Sequence, residues 1–233
     1  RDERPRWASW ASRWLVLKGK GAVGDESNFL HDGLVLFTYL HLAADRPLTE
    51  QLLASGTTAL GYETVQLSSG MLPLLLPMSE VAGCLAPQLG AYSLMKPHGG
   101  RGLLLGGVAG VKNPRVVVLG AGVAGQNAIN VALGMGADVT VLDNDLEKLR
   151  LIFWRYENRV QGIASNTLTI REEVAGADMV IGAVLVPGSR TPKLVTNEMV
   201  AQMKPGSVPV DIAIDQRGHF EDSHPTTHDN PPF

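Results

Sequence analysis

Hydrophobic positions along the chain fall into two alternating patterns: short unbroken runs, and longer stretches with apolar residues every three or four positions. Unbroken runs bounded by turn residues suit strands buried on both faces, and the wider spacing suits helices with one apolar face. GLVLFTYL (33–40) predicts a buried strand, LTEQLLAS (48–55) a helix that stops at Gly56, and TTALGYETV (57–65) a second strand. PMSEVAGCLAPQLGAYSLM (77–95) predicts a long helix capped by Ser79 and kinked or divided at Pro87, with Val81, Leu85, Leu89 and Tyr92 at helical intervals. The glycine-rich stretch 96–115 reads as a mobile loop or linker. VVVLG (116–120) then predicts a strand, VAGQNAINVALGMG a helix, and DVTVLD (138–143) and ADMVIGAV (177–184) two further strands. Thr196 caps a helix, NEMVAQMK, ended by Pro205-Gly206, and SVPVDIAID (207–215) is a last strand with Pro209 placed early.

Strands alternating with helices predict an α/β protein. Residues 77–233 read as a Rossmann-type, doubly wound parallel sheet entered through the linking helix, and residues 1–76 as part of a second α/β domain.

The glycines of LGAGVAG give this sheet a chemistry. Gly120, Gly122 and Gly125 follow a Val-rich strand and open a helix, and Asp143 closes the next strand. In a dinucleotide-binding unit the first glycine permits the sharp turn, the second lets backbone N–H groups approach a pyrophosphate, and the third lets helix and strand pack closely. The helix N-terminus favours the phosphates. A carboxylate at Asp143 accepts hydrogen bonds from the adenosine ribose and repels a 2′-phosphate, and no arginine follows it in DNDLEKLR, so the expected cofactor is NAD.

Bulk properties narrow the partners. A formal net charge of −3 gives no electrostatic reason to expect nucleic acid or an anionic membrane surface. The longest apolar run, MLPLLLPM (71–78), is broken by two prolines and is far short of the ~20 residues of a membrane span. Cys84 is the single cysteine and reads as a small buried hydrophobe, which suits a cytoplasmic protein without disulfides. The start RDERPRWASW has no initiator Met and no signal-peptide core, and the end is polar and Pro-rich, so the chain reads as part of a larger protein.

Several stretches together resemble the NAD-dependent L-alanine dehydrogenase family: FTYLHLAADR, GYETVQ, LLLPMSEVAG, GGRGLLLGGVAGV, LGAGVAGQNA, IGAVLVPGSRTPKLVT, MKPGSV and VDIAIDQ. The resemblance runs from about residue 33 to the C-terminus. It implies reversible oxidative deamination of L-alanine, with NAD and water, to pyruvate and ammonium. By position it implies His41 and Asp215 as the catalytic pair and Lys20 as the residue that holds substrate. It further implies cofactor contacts at Ser79, Val123, Lys148, Ser165, Val184, Leu185 and Ile212, beside the glycines and Asp143. The family forms hexamers, which implies a homo-oligomer here, and its N-terminal substrate-gripping arginine and C-terminal Asn-Met-Pro loop are expected to lie outside this sequence.

Two departures from the family pattern are visible: Lys18-Gly19-Lys20-Gly21 where a Lys-x-Lys-Glu-Pro run is usual, and Arg217 where glycine is usual. They motivate an alternative, an NAD-binding module without catalysis. A third reading, the transhydrogenase α subunit, shares the glycine loop but passes hydride to NADP-bound partner chains. His219, His224 and His228, near Asp222 and Asp229, fit no helix-borne ligand set and are expected to form a solvated polar tail without metal.

Overall fold

The computed structural model describes residues 10, 12–19, 21–22, 24–43, 45–185, 192–214 and 218–226. These residues form two compact units, one up to Pro77 and the other from Met78 onward.

In the first unit, β1 (Leu15–Leu17), β2 (Val35–Thr38) and β3 (Thr58–Gly61) form a parallel sheet in that order. Parallel neighbours need a crossover, and between β2 and β3 it is α1 (Arg46–Ser55). Asp45 caps α1 by accepting a hydrogen bond from Leu48 N, and Gly56 ends it in the left-handed conformation at φ 70°. Leu48 and Leu52 of α1 join Leu34, Leu36 and Leu40 in a core that also holds Trp10 and Val16. The strand expected over 57–65 is shorter, because the chain leaves the sheet at Gly61 into a 3-10 turn over Tyr62–Thr64.

α2 (Leu76–Leu94) leads into the second unit. It begins earlier than the sequence suggests, with Leu75 N and Leu76 N already bonded to Leu72 O, so Ser79 lies inside the helix and does not cap it. Pro87 lies within one continuous helix and does not divide it. Gly83 lets α2 cross the second unit closely, since a Cβ there would collide with Ala124 O. Cys84 is only half-buried, with its Sγ 3.8 Å from Asn127 Oδ1.

The second unit is a five-stranded parallel sheet in the order β6-β5-β4-β7-β8. Its elements are β4 (Arg115–Leu119), α3 (Val123–Gly134), β5 (Asp138–Asp143), α4 (Leu146–Arg155), β6 (Val160–Ala164), α5 (Thr167–Gly176), β7 (Met179–Gly182), α6 (Asn197–Ala201) and β8 (Val208–Asp211). Alternate residues of β4 feed opposite faces. Val116 and Val118 pack with α3 residues such as Ile129, and Val117 and Leu119 pack with Ile170, Val174 and Met199 of α5 and α6. All four β4 residues are essentially inaccessible, which is why their run is continuously apolar. The order reverses between β4 and β7, the kind of switch point at whose carboxyl-end side open α/β sheets bind ligands.

Two expectations change in this unit. The stretch after α2 is pinned rather than mobile: Gly102 N and Leu103 N donate to Leu94 O, Arg101 N donates to Gly206 O, and Leu105 is buried. β8 stops at Asp211, four residues before Asp215, and as an edge strand it accommodates Pro209. Among the described residues no helix is long and apolar enough to cross a membrane.

Candidate functional site

The residues singled out in the second unit collect at one edge of its sheet. Gly120 follows β4, Asp143 ends β5, Ser165 follows β6, Val184 and Leu185 follow β7, and Ile212 follows β8. Because every strand is parallel, these positions all lie at carboxyl ends, where open α/β sheets bind ligands.

The loop from β4 to α3 is fixed by backbone geometry. Gly120 has φ 106°, and a Cβ there would lie 2.9 Å from Val184 N. Only glycine accepts both conditions. A Cβ at Gly125 would overlap Gly120 O, so α3 approaches the loop as closely as backbone allows. At Gly122, by contrast, an added Cβ would meet nothing within 4 Å, and no side chain caps α3. Open space therefore faces the first-turn amides of a 12-residue helix, an arrangement that fits a phosphate. Val123, the first residue of α3, is exposed beside this space.

Asp143 is 8% exposed, and each carboxylate oxygen is held by the backbone. Oδ2 accepts from Ala121 N at 2.7 Å and Oδ1 from Asp145 N at 2.9 Å. The acid thus ties the glycine loop to β5 and retains lone pairs for ribose hydroxyls. Lys148 Nζ lies 4.0 Å from Asp143 Oδ2 and 3.9 Å from Asp145 Oδ2, and Ser165 N donates to Asp143 O at 3.0 Å. Ile212 N donates to Gly182 O, which extends the β7–β8 pairing past the end of β8. Ser79 sits half-buried in α2.

His41 belongs to the first unit, just past β2. Its φ of 50° is unusual for a residue with a side chain. Glu63, which the sequence reading passed over, accounts for it. The turn at Gly61 brings the Glu63 carboxylate back over β2, where Oε1 accepts from Leu40 N at 3.0 Å and His41 N at 2.7 Å. Tyr39 stacks on His41 with ring centroids 6.1 Å apart, and its hydroxyl donates to Leu74 O. Lys20, Asp215 and Arg217 lie outside the described residues.

Comparison with known proteins decides the family. The description "Alanine dehydrogenase/PNT, C-terminal domain" matches residues 86–233, and "Alanine dehydrogenase/PNT, N-terminal domain" matches residues 3–82. The chain belongs to the alanine dehydrogenase/PNT family. An alanine dehydrogenase from Mycolicibacterium smegmatis is 58% identical over 224 residues, covering 96% of this chain and 60% of that protein. A solved L-alanine dehydrogenase structure superposes with TM-score 0.87 at 48% identity, covering 99% of this chain and 63% of that one. A transhydrogenase structure from Sinorhizobium meliloti follows at TM-score 0.75 and 26% identity, covering 95% and 65%. The chain thus spans about 60% of the length of the curated alanine dehydrogenases it matches.

In this member of the alanine dehydrogenase/PNT family, the tail holds the largest departure from expectation. His219 is fully buried, not solvated. Its Nδ1 lies 2.9 Å from Asp211 Oδ1, and Asp211 Oδ2 accepts from His219 N and from Ser223 Oγ. Burial pushes the Asp211 carboxyl up, but the hydrogen bonds and charge of His219, with Ser223, outweigh it and hold the group below its ordinary value. A pattern that names residues by spacing has no access to this pair, because the contact depends on a turn whose shape no periodicity encodes. His224 is exposed, and His228 and Asp229 lie outside the described residues.

Proposed function

We propose that the protein catalyses the reversible NAD-dependent oxidative deamination of L-alanine to pyruvate and ammonium. The observation that carries the cofactor half is the uncapped glycine loop tied to the Asp143 carboxylate at the switch point. The substrate half is supported by the names of the relatives at 49–58% identity.

Gly120, Gly122, Val123 and Gly125 would receive the pyrophosphate, Asp143 with Lys148 and Ser165 the adenosine ribose, and Val184, Leu185 and Ile212 the remainder of the dinucleotide, with Ser79 beside it. NAD, when bound, supplies the acceptor for the hydride that leaves the alanine α-carbon. Lys20 would hold the substrate carboxylate and polarise its oxygens. His41 and Asp215 would move protons on and off the substrate nitrogen and the attacking water. On this reading residues 1–76 are the substrate domain and 77–233 the NAD domain. Glu63 keeps the His41 backbone in place by accepting from its N–H.

The protein is read as a homo-oligomer, a hexamer like the family. Val81, Leu85, Leu89 and Tyr92 form one face of α2 and are 46–60% exposed, an apolar stripe suited to another copy. The single cysteine suits the cytoplasm.

The test is loss of NADH absorbance when pyruvate and ammonium are added to the chain. Oxidation dependent on both substrates supports the reading. NADH that binds without being consumed points to a cofactor module without catalysis. The likeness to a transhydrogenase supports a second reading, under which NADH is consumed only when an NADP-bound partner is supplied.

A further inference from the structure

The Asp211–His219 pair reaches the glycine loop through one residue. His219 Nε2 lies 3.0 Å from Val184 N and 2.9 Å from Val184 O, while Nδ1 faces Asp211. With Nδ1–H donating to the carboxylate, Nε2 meets both polar atoms of the Val184 peptide: it accepts from N–H when the ring is neutral and donates to O when the ring is protonated. Val184 in turn lies against Gly120, whose missing Cβ would stand 2.9 Å from both Val184 N and Val184 Cγ2. The imidazole occupies space that depends on Gly182, where a Cβ would come within 2.6 Å of its Nδ1. A fully buried ring, a buried carboxylate and two glycines thus form one connected structure from β8 to the turn after β4.

We propose that Asp211 and His219 form a clasp that fixes the Val184 peptide against the glycine loop, and that His219 is thereby a positioning residue for dinucleotide binding. The inference rests on the NAD reading of that loop. Asp211 orients the ring through Nδ1 and the neighbouring amide, and the ring holds the peptide through Nε2. Without the ring the Val184 peptide loses its side-chain partner, and the wall behind Gly120 is free to shift.

Two variants separate positioning from mere stability. His219→Gln places an amide where Nε2 stood and can still pair with Val184 while losing Asp211. His219→Asn places an amide where Nδ1 stood and can still pair with Asp211 while losing Val184. Two quantities are read on each chain: hydrogen exchange at the Val184 amide without cofactor, and NADH affinity by fluorescence titration.

The clasp predicts that His219→Asn accelerates Val184 exchange and weakens NADH binding about tenfold or more, while His219→Gln stays within about threefold of the parent in both. Equal losses in the two variants, tracking thermal stability, would overturn the positioning role. Unchanged Val184 exchange in both variants would overturn the clasp whatever happens to NADH. A parent chain that shows the exchange pattern but binds no NADH would overturn the cofactor reading, and with it the functional half of the inference, while leaving the contact itself established.

Discussion

Asp143 joins structure to selectivity in one side chain. Its Oδ2 holds Ala121 N in the glycine loop, and the same carboxylate faces the place where a ribose is proposed to bind. Hydrogen bonds to charged groups contribute ~1.5–3 kcal/mol each. Asp143→Ala is therefore expected to weaken NADH binding by roughly 10-fold or more, and to narrow the gap to NADPH by removing the repulsion of a 2′-phosphate. Parallel titrations with the two cofactors check this, and an unchanged NADH affinity would remove Asp143 from the site. Asp211 makes a different prediction. Its folded-state pKa is lowered, so its ionised form contributes stability that is fully present above the ordinary carboxylate value of about 4 and is lost as pH falls through the lowered folded value. Urea unfolding followed below about pH 4 should show the parent chain losing stability more steeply than Asp211→Asn. At this scale the sequence was most legible where a residue type is forced by backbone: Gly120 and Gly125 stand where the motif requires them. It was least legible where side chains meet across the fold. Glu63 under His41 and Asp211 under His219 join residues 22 and 8 positions apart, and nothing in their spacing marks them.

Elements were legible in proportion to burial. β4 and β5 are covered on both faces and read directly from their Val- and Leu-rich segments, with Thr140 the one polar interruption inside β5. β6 is an edge strand, with an exposed glutamine and glycine in VQGIA, so it carries no such run and escaped notice, as did the short β1. α4 and α5 escaped too, although each has a side-chain cap. Asn166 caps α5 through a reciprocal pair, accepting from Leu168 N and Thr169 N while Thr169 Oγ1 accepts from Asn166 N. Ser79 shows the opposite error, a capping residue type placed inside a helix that had already begun at Leu76. Chemical unfolding separates the two. Asn166→Ala is expected to cost about 1 kcal/mol, and Ser79→Ala less than about 0.5 kcal/mol. A larger loss at Ser79 would restore it as a cap.

The molecule as a whole divides into two units, one up to Pro77 and the other from Met78 onward. Family membership rests on matches across both units, and the finer reading rests on one place within the second. There the topology reverses, the glycine loop opens towards an uncapped helix, and an acid, a lysine and a buried clasp surround it. The central claim is that this place holds NAD, and NADH fluorescence titration of the chain tests it most directly. The account predicts saturable binding with one NADH per chain and clearly weaker binding of NADPH. Absence of saturable NADH binding, or equal affinity for NADPH, would contradict it.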